Sequence, residues 1–346
     1  MRTLCTSVFL AGFMLSGSFA SAKDLTIAGW GGSYQAAQRA AHFEPFADKV
    51  GIKIIEDQHN GDIARLKAMV QAGSVTWDVV SMYKFSVIQG CDEGILEPLD
   101  STVYGNKDDY MPGALHPCGV ASDIFANIIA YDQDRMGANP PTTLADFFDV
   151  QKYPGKRGLK RAPQGNLEFA LLADGVEPAE VYNVLATKEG QDRAFSVLDR
   201  IKLHVVWWQA GAQPPQLLAD GEVVMTTAYN GRIYSANVAE GRHFKIIWDG
   251  QVYEFDYWAI PKGTPNVELA KEFLRFATQP RQMAKQAELI PYGPPRNSAM
   301  PMVPEDVKVQ LPTEENILRR ALAASPEFWA DNFESINDRF QAWLAQ

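Results

Sequence analysis

Leu25-Thr26-Ile27-Ala28 is a short apolar run that breaks at once into Gly29-Trp30-Gly31-Gly32-Ser33-Tyr34. A strand that passes through a glycine-rich turn into a helix returns to its sheet as a parallel neighbour, because the helix crosses the sheet first. The helix so begun carries Ala36, Ala37, Ala40 and Phe43 along one predicted face. A strand over residues 52–55 follows, and then a helix over 62–72 with Ile63, Leu66, Met69 and Val70 at helical spacing. Trp77-Asp78-Val79-Val80 is the third strand. Strand and helix in alternation predict a parallel α/β sheet in this part of the chain.

A Pro- and Gly-rich stretch over 112–119 leads into an apolar strand over 123–131, and a second α/β section spans 140–249. Its helices are expected over 167–173 and 191–203, with a strand over 223–227. Residues 253–261 alternate, with Tyr253, Phe255 and Tyr257 facing one way and Glu254, Asp256 and Trp258 the other. A surface helix is expected over 267–277, with Leu269, Phe273 and Phe276 inward, and the tail from Glu314 to Phe340 and Trp343 reads as helical. No repeat, low-complexity tract or flexible linker separates the sections, so the chain is expected to pass between two lobes more than once.

The N-terminus reads as an export signal. Arg2 supplies the positive start, residues 8–15 the apolar stretch, and Ala20-Ser21-Ala22 the small-residue cleavage site, with cleavage expected after Ala22. The apolar stretch is shorter than the roughly 20 residues a membrane span needs. Cys5 precedes it and no cysteine sits at the cleavage site, which argues against a lipid anchor. Removing Cys5 leaves Cys91 and Cys118, an even pair in an oxidising compartment, and a disulfide between them is expected.

Charge and motifs exclude several functions. With 32 basic and 42 acidic residues the net charge is −10 and no long basic run exists, which leaves no footprint for nucleic acid. There is no G-x-S-x-G elbow, no Walker loop and no H-E-x-x-H. The five histidines, His42, His59, His116, His204 and His243, stand singly, and two cysteines make no structural zinc site. Neither a metal nor another cofactor is expected. Glu254 and Asp256 share a strand face at a spacing of roughly 6–7 Å, compatible with a glycosidase carboxylate pair. Alternation on strands produces such pairs constantly, so a secreted hydrolase is the weaker reading.

Aromatic residues beside Gly, Asn and Asp mark the predicted strand ends instead: Trp30, Tyr83, Trp207-Trp208, Tyr229 and Tyr257. In open α/β sheets, ligands bind outside the carboxyl ends of strands.

Taken in order, Gly29-Trp30, Trp77-Asp78-Val79-Val80, Glu93-Gly94-Ile95-Leu96-Glu97-Pro98-Leu99-Asp100, Ala130-Tyr131-Asp132, Gly221-Glu222-Val223, Tyr229-Asn230-Gly231, and Asp256 through Ala259-Ile260-Pro261 make the chain resemble a known family. It is similar to the periplasmic solute-binding proteins of ABC importers, in the spermidine/putrescine-binding branch. The resemblance implies a two-lobed type II periplasmic-binding-protein fold, each lobe a mostly parallel sheet flanked by helices, closing on one small solute in the cleft between them. It also implies a periplasmic location, an inner-membrane permease and its ATPase as partners, and a monomer. Lobe one is expected to hold residues 24–130 and 257–305, and lobe two 131–256 and 306–346, with crossovers near 130–131 and 256–258.

Carried over residue by residue, the family's first-strand aromatic is Trp30, the aromatic before Asn-Gly is Tyr229, and the amine-binding acid is Asp256. Glu254 replaces an aromatic, and Ser81-Met82-Tyr83 corresponds only approximately to the family's third-strand loop. Polyamine binders place carboxylates before the second lobe's helix, whereas Arg161-Ala162-Pro163-Gln164-Gly165-Asn166-Leu167 has none until Glu168. Arg232 follows Tyr229-Asn230-Gly231, and a buried guanidinium repels a diamine but binds a carboxylate through paired N–H donors. The candidate ligand-binding residues are Trp30, Ser33, Tyr83, Tyr229, Arg232, Glu254 and Asp256. One carboxylate and one guanidinium predict a zwitterion such as 4-aminobutyrate or a similar ω-amino acid, and a polyamine is the runner-up.

Overall fold

The computed structural model describes residues 24–61 and 63–346. The predicted signal segment with its cleavage site, and Asp62 at the start of a predicted helix, lie outside the described residues.

The main strands are β1 (Leu25–Gly29), β2 (Ile54–Gln58), β3 (Val79–Tyr83), β4 (Gly119–Asp132), β5 (Arg157–Lys160), β6 (Val205–Trp208), β7 (Met225–Tyr229) and β8 (Phe244–Ala259). They form one sheet in the order β2-β1-β3-β8-β4-β7-β5-β6, to which two short pieces, Leu115–His116 and Leu322–Ala323, attach. Pairing is parallel in both wings, β2-β1-β3 and β7-β5-β6, as the alternation of strand and helix requires. The centre is antiparallel, because the long strands β4 and β8 run against each other and against β7 and β3 respectively.

The helices that matter to the site are α1 (Gly32–Gln38), α2 (Lys84–Asp92), α3 (Asn166–Ala173), α4 (Asn230–Glu240), α5 (Pro280–Leu289) and α6 (Pro326–Leu344). α1 continues through a π-helical turn, Arg39–Phe43, into a further helix, Glu44–Val50. Pro45 has no N–H to return to residue 41, which accounts for the widened turn just before it. Of the predicted face, Ala37 and Phe43 are buried but Ala36 and Ala40 are exposed, while Tyr34, Gln38, Ala41 and His42 are buried as well.

The cores lie on either side of the antiparallel centre. The first gathers Leu25, Ile27, Val79 and Trp258 around Phe43, Phe46 and Phe273. The second gathers Phe147, Phe169 and Phe195 with Trp329, Phe340 and Trp343 of α6, and a smaller third packs β4 against Leu218, Val223 and Ile233. Each fully buried side chain of this size contributes about 1.5–3 kcal/mol. β4 changes core early: Ala121 belongs to the first, but Ala126, Ile128 and Ala130 already pack in the third, ahead of the crossover expected at 130–131. In β8 the change falls between Val252 and Tyr257. Cys91 in α2 and Cys118 ahead of β4 form a disulfide with 5.7 Å between Cα atoms.

Several predicted elements move: the strand expected over 77–80 runs over Val79–Tyr83, and that expected over 223–227 runs over Met225–Tyr229. β2 starts at Ile54 because that residue pairs with Leu25. The predicted 191–203 helix runs over Lys188–Asp199 instead, capped by Thr187, which accepts from the Gly190 N–H. Residues 314–325 are not one helix. Glu314 takes the backbone N–H groups of Asn316 and Ile317 onto its own carboxylate, and α6 starts only at Pro326 behind the Ser325 cap.

Candidate functional site

The carboxyl ends of the parallel strands converge on one cavity. β1 delivers Trp30, β3 Tyr83, β5 Lys160, β6 Gln209 and β7 Tyr229, while Asp123 of β4 and Asp256 of β8 come from the antiparallel centre. Tyr34 of α1, Arg232 of α4, Phe125 and Tyr292 complete the wall, and the space with its mouth is about 450 Å³.

Two glycines make the approach of α1 to α4 possible. Gly31 and Gly32 have φ of 62° and 57°, which an L side chain rarely adopts. A Cβ on Gly32 would lie 2.4 Å from an Arg232 guanidinium nitrogen. Through this gap Arg232 donates to the carbonyl of Gly31 at 2.7 Å and to that of Trp30 at 3.1 Å. Its side chain is buried, and its Nε has no partner among the described residues.

The acids are paired by a bulge. The β4–β8 register slips between Ala121 and Asp123, so that Asp123 rather than Ser122 stands opposite Asp256. Like charges directly opposite are unfavourable, and Tyr34 resolves the conflict. Its hydroxyl lies 2.7 Å from Asp123 Oδ2 and 2.8 Å from Asp256 Oδ2, and accepts from Gln38 Nε2 at 2.9 Å. One phenolic hydrogen serves only one of the two carboxyls, so the other carboxyl donates and the pair holds a proton. Asp123 Oδ2 also accepts from Gln286 of α5 at 2.7 Å and from Ser122 at 3.1 Å, whereas among the described residues Asp256 Oδ2 has only Trp30 Nε1 at 3.0 Å besides Tyr34. The better-solvated charge is therefore on Asp123 and the proton on Asp256. Burial pushes Asp123 up to about 6; burial and the neighbouring Asp123 push Asp256 well above its ordinary value. Oδ1 of each is buried without a partner among the described residues.

Lys160 closes the side opposite this pair. It donates to the Tyr83 hydroxyl at 2.9 Å and the Tyr229 hydroxyl at 3.1 Å, and those two hydroxyls are 2.8 Å apart. Behind this wall lies a second cavity holding Glu254, Glu168, Asn127 and Gln164. Burial lifts Glu254 to about 8 although the Lys160 ammonium pulls it down, and lifts Glu168 to about 7 although Trp329 and Tyr182 donate to it.

Of the residues expected from sequence, Trp30, Tyr83, Tyr229, Arg232 and Asp256 line the main cavity together. Ser33 is half-buried in α1 and is not among the lining residues, because Tyr34 is the α1 residue turned inward. Glu254 faces the second cavity, so the two acids of the suspected glycosidase pair do not share one. Trp207 packs on α6, Trp208 meets Tyr229 edge-on, and Tyr257 donates to the Gly113 carbonyl; these aromatics build the frame. Sequence reading missed Tyr34, Asp123, Phe125, Lys160, Gln209 and Tyr292. Lys160 and Gln209 carried one usable signal, their position just at or past a strand end.

Residues 38–313 match the family of bacterial extracellular solute-binding proteins. A gamma-aminobutyric acid-binding protein of Pseudomonas aeruginosa is 44% identical over 327 residues, 94% of this chain and 92% of the relative. A solved GABA receptor superimposes with a TM-score of 0.81 at 33% identity, covering 94% of this chain and 98% of the other. A putrescine-binding periplasmic protein of the same species is more distant, 23% identical over 286 residues and 77% of each chain.

Proposed function

Because the chain belongs to the bacterial extracellular solute-binding proteins, we propose that it captures a short ω-amino acid, 4-aminobutyrate or a close analogue, for an ABC importer. The family is one of exported binding proteins rather than enzymes, and the sheet is that of a type II periplasmic binding protein.

One observation carries the ligand class. Residues lining this cavity carry buried polar atoms without partners among the described residues: the acceptors Oδ1 of Asp256 and of Asp123, and the donor Nε of Arg232. Buried polar atoms are nearly always paired, and a molecule with an ammonium at one end and a carboxylate at the other supplies both partners. The ammonium faces Asp256 between Trp30, Tyr83 and Tyr229, where cation–π contact adds about 0.5–2 kcal/mol. The carboxylate takes the remaining guanidinium donors of Arg232.

Trp30 and Tyr83 stand on the first core's strands, Tyr229 and Arg232 on the other side. Closure about the stretches where β4 and β8 change core would then bring them together on the solute, with the lobes divided there. The mature protein is a periplasmic monomer, released after Ala22, that hands its solute to an inner-membrane permease driven by its ATPase.

Isothermal titration of the mature chain with 4-aminobutyrate, 5-aminovalerate, α-amino acids and putrescine tests this, with the recovered ligand checked for turnover. The expected result is tight binding of the ω-amino acids and intact ligand. A preference for putrescine would move the assignment to polyamines, and turnover would move it to a hydrolase.

A further inference from the structure

The second cavity has no part in holding a short zwitterion, yet it is built from acids. Glu168 is 1% exposed, and Glu254 stands two residues before Asp256 on the same strand face. Residues so placed are about 6–7 Å apart along a strand, the reach of an extended four-carbon diamine. A chamber of this kind, adjoining the Asp256 cavity, has the charge to receive a second ammonium. Lys160 stands between the two with Tyr83 and Tyr229; all three line both cavities.

The lysine is held in place. Its Nζ is fixed by two phenol oxygens, Tyr83 from one side of the molecule and Tyr229 from the other, and those phenols also bond each other. The carbonyl of Lys160 accepts from Asn166 Nδ2 at 2.7 Å, so the end of β5 is tied to the start of α3, the helix that carries Glu168.

We propose that Lys160 determines ligand class: its ammonium stands where the far ammonium of a diamine would enter the Glu254–Glu168 chamber, and so refuses diamines while leaving the Asp256–Arg232 cavity open to a zwitterion. This rests on the ω-amino acid reading above. Arg232 repels a second cation at one end of the cavity and Lys160 repels it at the other, so specificity is built from two repulsive elements as well as from attractive ones. Lys160 is a specificity-determining residue that acts on ligands it excludes.

The test is titration calorimetry on the mature wild type, Lys160→Met, and Lys160→Met with Glu254→Gln, each against 4-aminobutyrate and putrescine. In Lys160→Met the affinity for putrescine is expected to rise at least tenfold, narrowing its gap to 4-aminobutyrate, and adding Glu254→Gln is expected to reverse most of the gain. Should thermal melting show Lys160→Met to be unfolded, Lys160→Gln, which can still bond both phenols, carries the same expectation. Unchanged putrescine affinity in a folded variant, with 4-aminobutyrate binding to the wild type intact, overturns the Lys160 assignment alone. A gain that survives Glu254→Gln overturns the chamber as its receptor. A wild type that already prefers putrescine refutes the underlying ω-amino acid reading, and the Lys160 assignment falls with it.

Discussion

Replacing Arg232 by alanine separates a zwitterion site from a diamine site more sharply than any other single change. In the proposed complex the guanidinium pairs with the ligand carboxylate in a buried setting, and truncating one member of such a pair costs about 2–5 kcal/mol. The structure places the expected loss in the upper half of that range. Arg232 is 3% exposed, so no water replaces it cheaply, and it also donates to the Gly31 and Trp30 carbonyls across the cavity mouth. Each of those bonds contributes about 0.5–1.5 kcal/mol to the closed arrangement. At 1.4 kcal/mol per tenfold, affinity for 4-aminobutyrate should fall by roughly 300- to 4,000-fold. Arg232→Lys, which keeps the charge but loses the planar fork, should fall between the two. Putrescine should move the other way, because the cation that repels it is gone while Asp123 and Asp256 stay. Calorimetry on both ligands, with a melting curve to show that the variant is folded, reads all of this. An affinity for 4-aminobutyrate within twofold of wild type would refute the reasoning.

The shared proton predicts that binding an ammonium at Asp256 releases about one proton, so affinity should climb with pH toward the raised value of the free pair and then level off. Comparing binding enthalpies in phosphate and Tris buffers measures the release, and a result of zero would contradict the bonding assigned to Tyr34. Stability should show the opposite slope. Burial holds Glu168 at about 7 and Glu254 at about 8, so the folded chain binds more protons than the unfolded one and loses that advantage as pH rises through those values. His42, buried and lowered to about 4, works in the other direction but has no further effect above its unfolded value near 6.5. The melting temperature of the ligand-free protein should therefore fall between about pH 6.5 and 8.5, and a flat or rising curve there would be evidence against buried neutral carboxyls. Gly32→Ala forces a methyl to within 2.4 Å of the Arg232 guanidinium at a positive φ. It should cost about 1 kcal/mol or more of stability and weaken ligand binding along with it, whereas a change in stability alone would detach Gly32 from the site.

Much of the frame was legible because it is local. The runs expected over 25–28, 77–80 and 223–227 are apolar and bounded by turn residues, so both the parallel wings and the aromatics that follow them, Trp30, Tyr83 and Tyr229, could be read from spacing, although the last two strands extend as far as their aromatic. The helix Val267–Ala277 matched its expected limits because Leu269, Phe273 and Phe276 fix its buried face. Failures came where a distant partner decides. β2 begins at Ile54 because Leu25 lies beside it, and Glu314 stops a helix that its neighbours favour. The first helix is rotated so that Ala36 faces solvent and Tyr34 faces the cavity, and the π turn that follows it ahead of Pro45 leaves Ala40 exposed. No apolar count reveals that rotation.

The acid pair was illegible for a stronger reason: it contradicts the rules by which a sequence is read. A strand register without the bulge sets Ser122, not Asp123, against Asp256, and a carboxylate opposite a carboxylate is a pairing that sheets avoid. The pair persists only because Tyr34, Gln286, Ser122 and Trp30 supply donors and because one proton is retained. Such a violation is expected where function requires it. In the proposed complex an ammonium arriving at Asp256 would replace the retained proton by a charge bound to the ligand, so the repulsion that burial stores between the two acids would become attraction for the solute. Arg232 does the converse with its unpartnered Nε. The features that local propensity could not predict are therefore those in which the cavity's own polar atoms are least satisfied. In the proposed complex that is also what would let a small solute with few atoms draw two halves of the molecule together.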